Sequence, residues 1–249
     1  MQFTKVDKAT VQAVMADTDE ASAAFATDAR SAAASVVTDL GELEPLLQLL
    51  RYTREQQSLK AFAEHWSKYQ DINRQVLALA VENTNLKAQR LAFGPAREAA
   101  DAFRDALATL AKMAASRDSC AADQLSLSAA VAVREIQVVL GPHIAESDDA
   151  AMTRMEQEIA VLEQKARTAL GRLTASSGAG AATSAASALA ALDRFTNVCA
   201  QIIKLSRQNT NVRSLALSIR DQATLATSCD DDLRVLQRGL EQEGVGPSR

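Results

Sequence analysis

Along residues 62–86 the apolar positions step by three and four. Phe62, Tyr69 and Val76 fall on one heptad line, and Ile72, Leu79 and Leu86 on the other. The same pattern returns further along the chain, with Phe195 and Ile202 on one line and Val198, Leu205 and Val212 on the other. The segments that follow continue it, as Leu86, Phe93, Ala100 and Leu107 in the first case and Val212, Ile219, Ala226 and Leu233 in the second. Seams this narrow and this regular belong to helices packed in a bundle. In the second half they predict helices over about 120–145, 149–174, 186–208 and 211–243. Gly141-Pro142 marks a break near the end of the first, Ser147-Asp148-Asp149 caps the second, and SSGAGAATSA, 176–185, is the plainest loop.

The two patterns are related by one offset. Shifted by 126 residues, 62–110 aligns with 188–236 without a gap and with ten identities, among them the whole of Asn83-Thr84-Asn85 on Asn209-Thr210-Asn211. Self-similarity at a fixed offset predicts a duplicated unit. The expected fold is therefore all-α: two tandem antiparallel up-down-up-down four-helix bundles, residues 1–117 and 118–245. The first bundle should begin near residue 2. Its second turn is placed either around Gly41–Pro45 or around Arg51–Ser58, and Gly94-Pro95 should kink its last helix. The junction ASRDSC, 115–120, has neither Gly nor Pro, so a near-continuous helix would stack the bundles end to end. Each Asn-Thr-Asn reads as a tight helix–helix turn, with Thr or the second Asn capping the next helix. Asn83 and Asn209 also fall on the core line, where a buried amide needs a partner that a ligand can supply.

Composition supports helices: 47% hydrophobic residues, only 4% aromatic, with 9 Gly and 4 Pro in 249 residues. A net charge of −4 with scattered basic residues gives no footprint for nucleic acid. No apolar run is expected to approach the roughly 18 residues of a membrane helix, and MQFTKVDKATVQAV lacks the apolar centre of a signal peptide. The chain is expected to be cytoplasmic, or periplasmic or otherwise extracytoplasmic if it is an ectodomain cut from its anchor. Cys120, Cys199 and Cys229 have no CxxC spacing and read as small core residues.

Candidate chemistry is sparse. His65 shares the heptad line of Ile72 and reads as a core or interface histidine; with His143 as the only other, a site of several histidines is excluded. Neither Glu-x-x-His nor a Gly-rich phosphate loop occurs, and Asp230-Asp231-Asp232 reads as a solvated face. No catalytic residue, metal site or cofactor is expected. An anion held in a bundle needs a fork of donors. The candidates are Arg51 with Arg54, three apart on one helical face, and Arg207 with Arg213, bracketing the second Asn-Thr-Asn; Asn83 and Asn209 complete the ligand-binding set.

IAESDDAAMTRMEQEIAVLEQKA (144–166) and ALDRFTNVCAQIIKLSRQNTNVRSLALS (191–218), with FAEHWSKYQDINRQVLALAVENTN (62–85), resemble the four-helix-bundle sensory module of methyl-accepting chemotaxis receptors. The resemblance implies an extracytoplasmic ligand-sensing domain, usually a homodimer, whose helices pass a small shift through a membrane. This chain departs from that pattern in having two bundles, no flanking membrane helices and no methylation segment, so any membrane contact runs through an anchor absent from it. The expected function is a non-enzymatic sensory module taking a small-molecule ligand between helices or at a dimer seam. The alternatives are a helical scaffold with a protein partner and, third, a membrane-active bundle.

Overall fold

In a computed structural model of the chain, residues 2–244 are described, without the side chains of 115–118, 179, 243 and 244; the expected end points 1 and 245 lie outside the described residues. Every regular element among them is helical: α1 (Gln2–Met15), α2 (Asp19–Leu50), α3 (Thr53–Glu82), α4 (Thr84–Phe93), α5 (Pro95–Ala145), α6 (Asp149–Ser176), α7 (Ala182–Gln208), α8 (Thr210–Leu217) and α9 (Ala223–Gly244). A 3-10 turn, Ala179–Ala181, precedes α7, and a π-turn, Ser218–Gln222, joins α8 to α9.

The ends follow local chemistry. Asp148 caps α6 by accepting from the Ala151 N–H at 2.6 Å, as its sequence suggests. Thr18 does the same for α2 through Ala21 at 3.1 Å, so the chain breaks at Ala16–Thr18, a turn that the heptad pattern does not mark. The next turn is at Arg51. Its left-handed conformation lets its own N–H reach the Gln48 carbonyl and that of Tyr52 reach Leu47, a Schellman ending. Gly41 and Pro45 lie inside α2. Gly94-Pro95 does break the helix, with Pro95 opening α5, where its missing N–H is harmless. Pro142, by contrast, sits inside α5, which continues to Ala145.

The chain divides into two compact units, 1–83 with 210–249 and 84–209. This differs from the expected division at 117/118, which falls inside α5. A straight 51-residue helix would be about 76 Å long. Yet Asn85, just before it, donates to the carbonyl of Ile144 near its end, and Arg97 and Ile144 line one cavity. The helical chain therefore reverses between residues 104 and 130, giving α5 two legs inside one unit. The near-continuous helix at 115–120 is present as expected, but it closes a hairpin and does not join two bundles.

Unit 1 is a bundle of α1, α2, α3 and the run α8–α9, with α3 packed on all the others. Its core holds Phe3, Val6, Val36, Phe62, Trp66, Tyr69 and Cys229, with the rings of Phe3, Phe62, Trp66 and Tyr69 in edge and stacked contacts. Unit 2 consists of α4 with the first leg of α5, the second leg, α6 and α7, closed over Phe103, Leu107, Leu110, Ile136, Leu173 and Phe195. The 126-residue offset reproduces the helix ends: Leu50 and Ser176 close α2 and α6, Glu82 and Gln208 close α3 and α7, and Thr84 and Thr210 open α4 and α8. At that offset each unit holds three helices of one repeat and the last helix of the other.

The exchange happens at Asn-Thr-Asn. Asn83 and Asn209 are left-handed residues at φ 49° and 54°, a conformation in which Asn is far better tolerated than other residues with a Cβ. No loop follows, because α4 and α8 start at the next residue. The motif is thus a crossing point between units and not a hairpin turn within one bundle.

The second leg of α5 corrects a further expectation. Ser119–Ala145 is apolar and long enough to cross a membrane by length and composition, with less than a third of its most apolar stretch buried in the unit. Its charges in 124–145 come as one adjacent pair, Arg134-Glu135, which breaks the run without lowering its mean hydropathy much.

Asn209→Ala is expected to destabilise unit 2 by about 2–4 kcal/mol in urea unfolding, through the left-handed backbone and two lost hydrogen bonds. Asn209→Gly should recover part of that loss, since only the side-chain bonds are missing; equal losses for the two variants would show that backbone conformation is not what Asn209 provides.

Candidate functional site

The candidate positions are best judged by comparing the two units at matching positions, since whatever both share serves the fold. Asn-Thr-Asn is shared. In unit 2, Asn85 Nδ2 donates to Asn209 Oδ1 at 2.8 Å and Asn209 Nδ2 donates to the Glu146 carbonyl at 2.6 Å. In unit 1, Asn211 Nδ2 donates to Asn83 Oδ1 at 2.7 Å. Each motif thus holds the other's first asparagine in the same way. Asn83 and Asn209 are buried, as their place on the core line suggests. Only Asn83 keeps a buried amide nitrogen without a partner.

The arginine candidates separate. Arg51 is the left-handed residue between α2 and α3 and Arg54 lies in the first turn of α3, so they do not share a helical face. Both are exposed. Arg207 and Arg213 fall in different units. Arg213 is exposed. Arg207 is engaged internally, with Nε 2.6 Å and Nη2 2.9 Å from the two carboxylate oxygens of Glu156, and with Thr153 and Asp149 beyond.

That pair belongs to a network around His143, which is fully buried. Ser206 donates its hydroxyl proton to the His143 carbonyl at 2.7 Å, so its oxygen must accept from His143 Nδ1 at 2.8 Å. His143 Nε2 lies 3.0 Å from Glu156 Oε1. The Arg207 hydrogen bonds hold the Glu156 carboxyl below the usual carboxylate range against the opposing effect of burial, with His143 adding to them. The other histidine departs from expectation. His65 is half-exposed and pairs through Nδ1 with Asp232 at 2.7 Å, and Asp230 pairs with Arg234 at 2.7 Å, so the consecutive aspartates are not merely solvated charges. Cys199 and Cys229 are buried, and burial pushes both thiols up to about 12. Cys120 is exposed, contrary to its reading as a core residue.

One set of buried positions differs completely between the units. In unit 1, Thr10 Oγ1 donates toward Asn73 Oδ1 at 2.7 Å, and Gln222 Nε2 donates to Asn73 Oδ1 and to Tyr69 Oη, each at 2.9 Å. Tyr69 Oη donates to Asp7 Oδ1 at 3.1 Å, and burial, reinforced by that carboxylate, raises the phenol's pKa well above its usual range. Thr10, Tyr69, Asn73 and Gln222 are all buried. Moved by 126 residues, Asp7, Thr10, Tyr69 and Asn73 become Val133, Ile136, Phe195 and Cys199, and Gln222 becomes Ala96, every one buried in unit 2. Four core positions, with the half-buried Asp7 beside them, are therefore hydrogen-bonded in unit 1 and apolar in unit 2. The fold does not need polar groups there. Besides Asn83 Nδ2, the buried atoms of unit 1 without a partner include Gln222 Oε1 in the π-turn and Trp66 Nε1 in the aromatic cluster. A cavity of about 320 Å³ between α2 and α3 reaches Asn73, with Arg30 and Arg74 at its wall. Sequence reasoning missed this cluster, although each polar residue in the 126-residue alignment faces an apolar one, which is the signal that finds it.

Comparison with known proteins gives one match. Residues 2–124 match the family described as the four helix bundle sensory module for signal transduction. No curated protein and no solved structure matches the chain. The matched segment is divided by the fold, with 2–83 in unit 1 and 84–124 in unit 2.

Glu156 has a depressed carboxyl, so its contribution to stability is present above the unfolded value of about 4.3 and is lost as pH falls through the lower folded value. Thermal unfolding of wild type and Glu156→Gln should therefore differ most at neutral pH and converge in acid. A gap that stays constant with pH would exclude the ionised Glu156 as its source.

Proposed function

We propose that the chain, whose residues 2–124 match the family of four helix bundle sensory modules, is a non-enzymatic sensor whose small-molecule ligand acts on the buried polar cluster of unit 1. The observation that supports this is the contrast at five matched positions, four of them buried in both units. A buried amide acceptor without a partner is unfavourable by about 1–3 kcal/mol, and unit 2 builds the same bundle with apolar side chains. Gln222 Oε1 is buried without a donor, and Asn73, to which Gln222 is bonded, reaches the cavity between α2 and α3.

The mechanism is a redistribution of helix packing. Gln222 sits in a π-turn, where one extra residue per turn leaves the helix a second way to set its register. A ligand that bonds to Gln222 in one arrangement and not in the other shifts the balance toward the first, by no more than its difference in affinity for the two. The movement is carried by α8–α9 against α3, the helices that Gln222, Tyr69 and Asn73 connect.

A second reading, a helical module that binds a protein partner, draws on Leu46, Leu49 and Leu50, large apolar residues left exposed at the end of α2.

The test transplants the core of unit 2 into unit 1 as Asp7→Val, Thr10→Ile, Tyr69→Phe, Asn73→Cys and Gln222→Ala. Unliganded, the variant is expected to be as stable as wild type or up to about 4 kcal/mol more stable, as when a buried polar set is replaced by well-packed apolar groups. In a thermal-shift panel of amino acids, organic acids, inorganic anions and metals, a ligand at 100 times its dissociation constant stabilises wild type by about 2.7 kcal/mol. The transplant should lose that response. A response that survives it moves the ligand out of unit 1, and a panel without response, together with a co-purifying protein, favours the partner-binding reading.

A further inference from the structure

Unit 2 carries a groove that the reading of unit 1 does not use. It has a volume of about 770 Å³ and lies between the end of α4 with the first leg of α5 on one side and the second leg of α5 on the other. Its floor is apolar, made of buried Phe103, Val133, Leu140 and Ile144. Its rim leaves the ring of Phe93 77% exposed and Val131 39% exposed.

The charge in the groove is one-sided. Arg97, Arg104 and Arg134 line it with a single carboxylate, Asp101, which is 3.0 Å from Arg104. Three cations less one anion leaves +2 in a chain whose net charge is −4. Among the described residues neither Arg97 nor Arg134 has an ion-pair partner. At the 126-residue offset Arg97, Arg104 and Arg134 become Ala223, Asp230 and Lys8, whose charges cancel. The excess of positive charge therefore belongs to unit 2 alone and is not a requirement of the bundle.

The geometry points to a binding site for an amphiphilic carboxylate, an acyl or aryl acid whose anionic head lies between Arg97 and Arg134 and whose body covers Phe103, Val133, Leu140 and Ile144. A guanidinium matches a carboxylate through two parallel N–H donors. A bare inorganic anion would leave the floor wet, and an uncharged apolar molecule would cover the floor while leaving two guanidinium groups at its edge without an anion. Each half of the lining thus selects one half of the ligand. This site is independent of the cluster around Gln222, so either assignment can fail alone.

The test is calorimetric titration of the full chain with octanoate and benzoate, with octanol, benzyl alcohol and inorganic phosphate as controls. One or both acids should bind, the alcohols and phosphate about tenfold or more weaker, and the double variant Arg97→Gln/Arg134→Gln should lose about tenfold or more of the affinity for the acid. Arg54→Gln should have no effect, nor should Gln222→Ala, which separates this site from the one in unit 1. Absence of binding by either acid at millimolar concentration, equal binding by acid and alcohol, or full binding by the double variant would each overturn the assignment.

Discussion

The structure depends on two residues with positive φ. A bundle helix of this length ordinarily ends in a loop that turns the chain back along the same bundle. Asn83 and Asn209 instead redirect it within one residue, and the next helix begins at once in the other unit. Left-handed backbone makes this possible, and the amide side chains make it specific. Asn85 fixes Asn209 inside unit 2, and Asn211 fixes Asn83 inside unit 1. The third residue of each motif is thus a clamp on the first residue of the other, and neither crossing is complete without its counterpart. Repeating the motif is a stereochemical requirement, which removes Asn-Thr-Asn as direct evidence for a ligand.

With the shared features assigned to the fold, the differences between the units acquire meaning. An isolated buried threonine or asparagine is unremarkable in a helical protein. Five polar side chains bonded to one another, at positions the sister bundle fills with Val133, Ile136, Phe195, Cys199 and Ala96, are a departure from a demonstrated apolar solution. The cationic groove of unit 2 is informative for the same reason, since Ala223, Asp230 and Lys8 stand at the matching places. The two bundles share a scaffold and differ in what their interiors and grooves can recognise.

Much of the helical layout was legible in the sequence. The seams place helices over 149–174 and 186–208, close to the observed α6 and α7, because burial follows the 3.6-residue period directly. The exchange of final helices was not legible, for a physical reason. A seam records which face of a helix is covered and not which helix covers it. Leu107 and Leu110 of one repeat match Leu233 and Leu236 of the other, so each last helix carries the pattern that either bundle accepts. The Arg51–Arg54 pairing failed because a left-handed residue at 51 breaks the helical spacing on which it relied. The Thr18 cap, followed by Asp19 and Glu20, carried a helix-start signal that the heptad lines overshadowed.

The division of the chain also orders events during synthesis. Unit 2 is a continuous insertion, complete once Asn209 has left the ribosome, whereas unit 1 waits for α8 and α9. Until then α1–α3 must hold Phe3, Phe62, Trp66 and Tyr69 without the helix that closes over them. Contacts between α3 and α9 span well over a hundred residues, and such pairings form late because distant segments must first be brought together. A chain released after Asn209 would thus present one finished bundle and one open aromatic trough, the kind of surface to which chaperones and stray helices adhere. Residues 210–244 act as the closing member of the first unit, although they are made after the whole of the second.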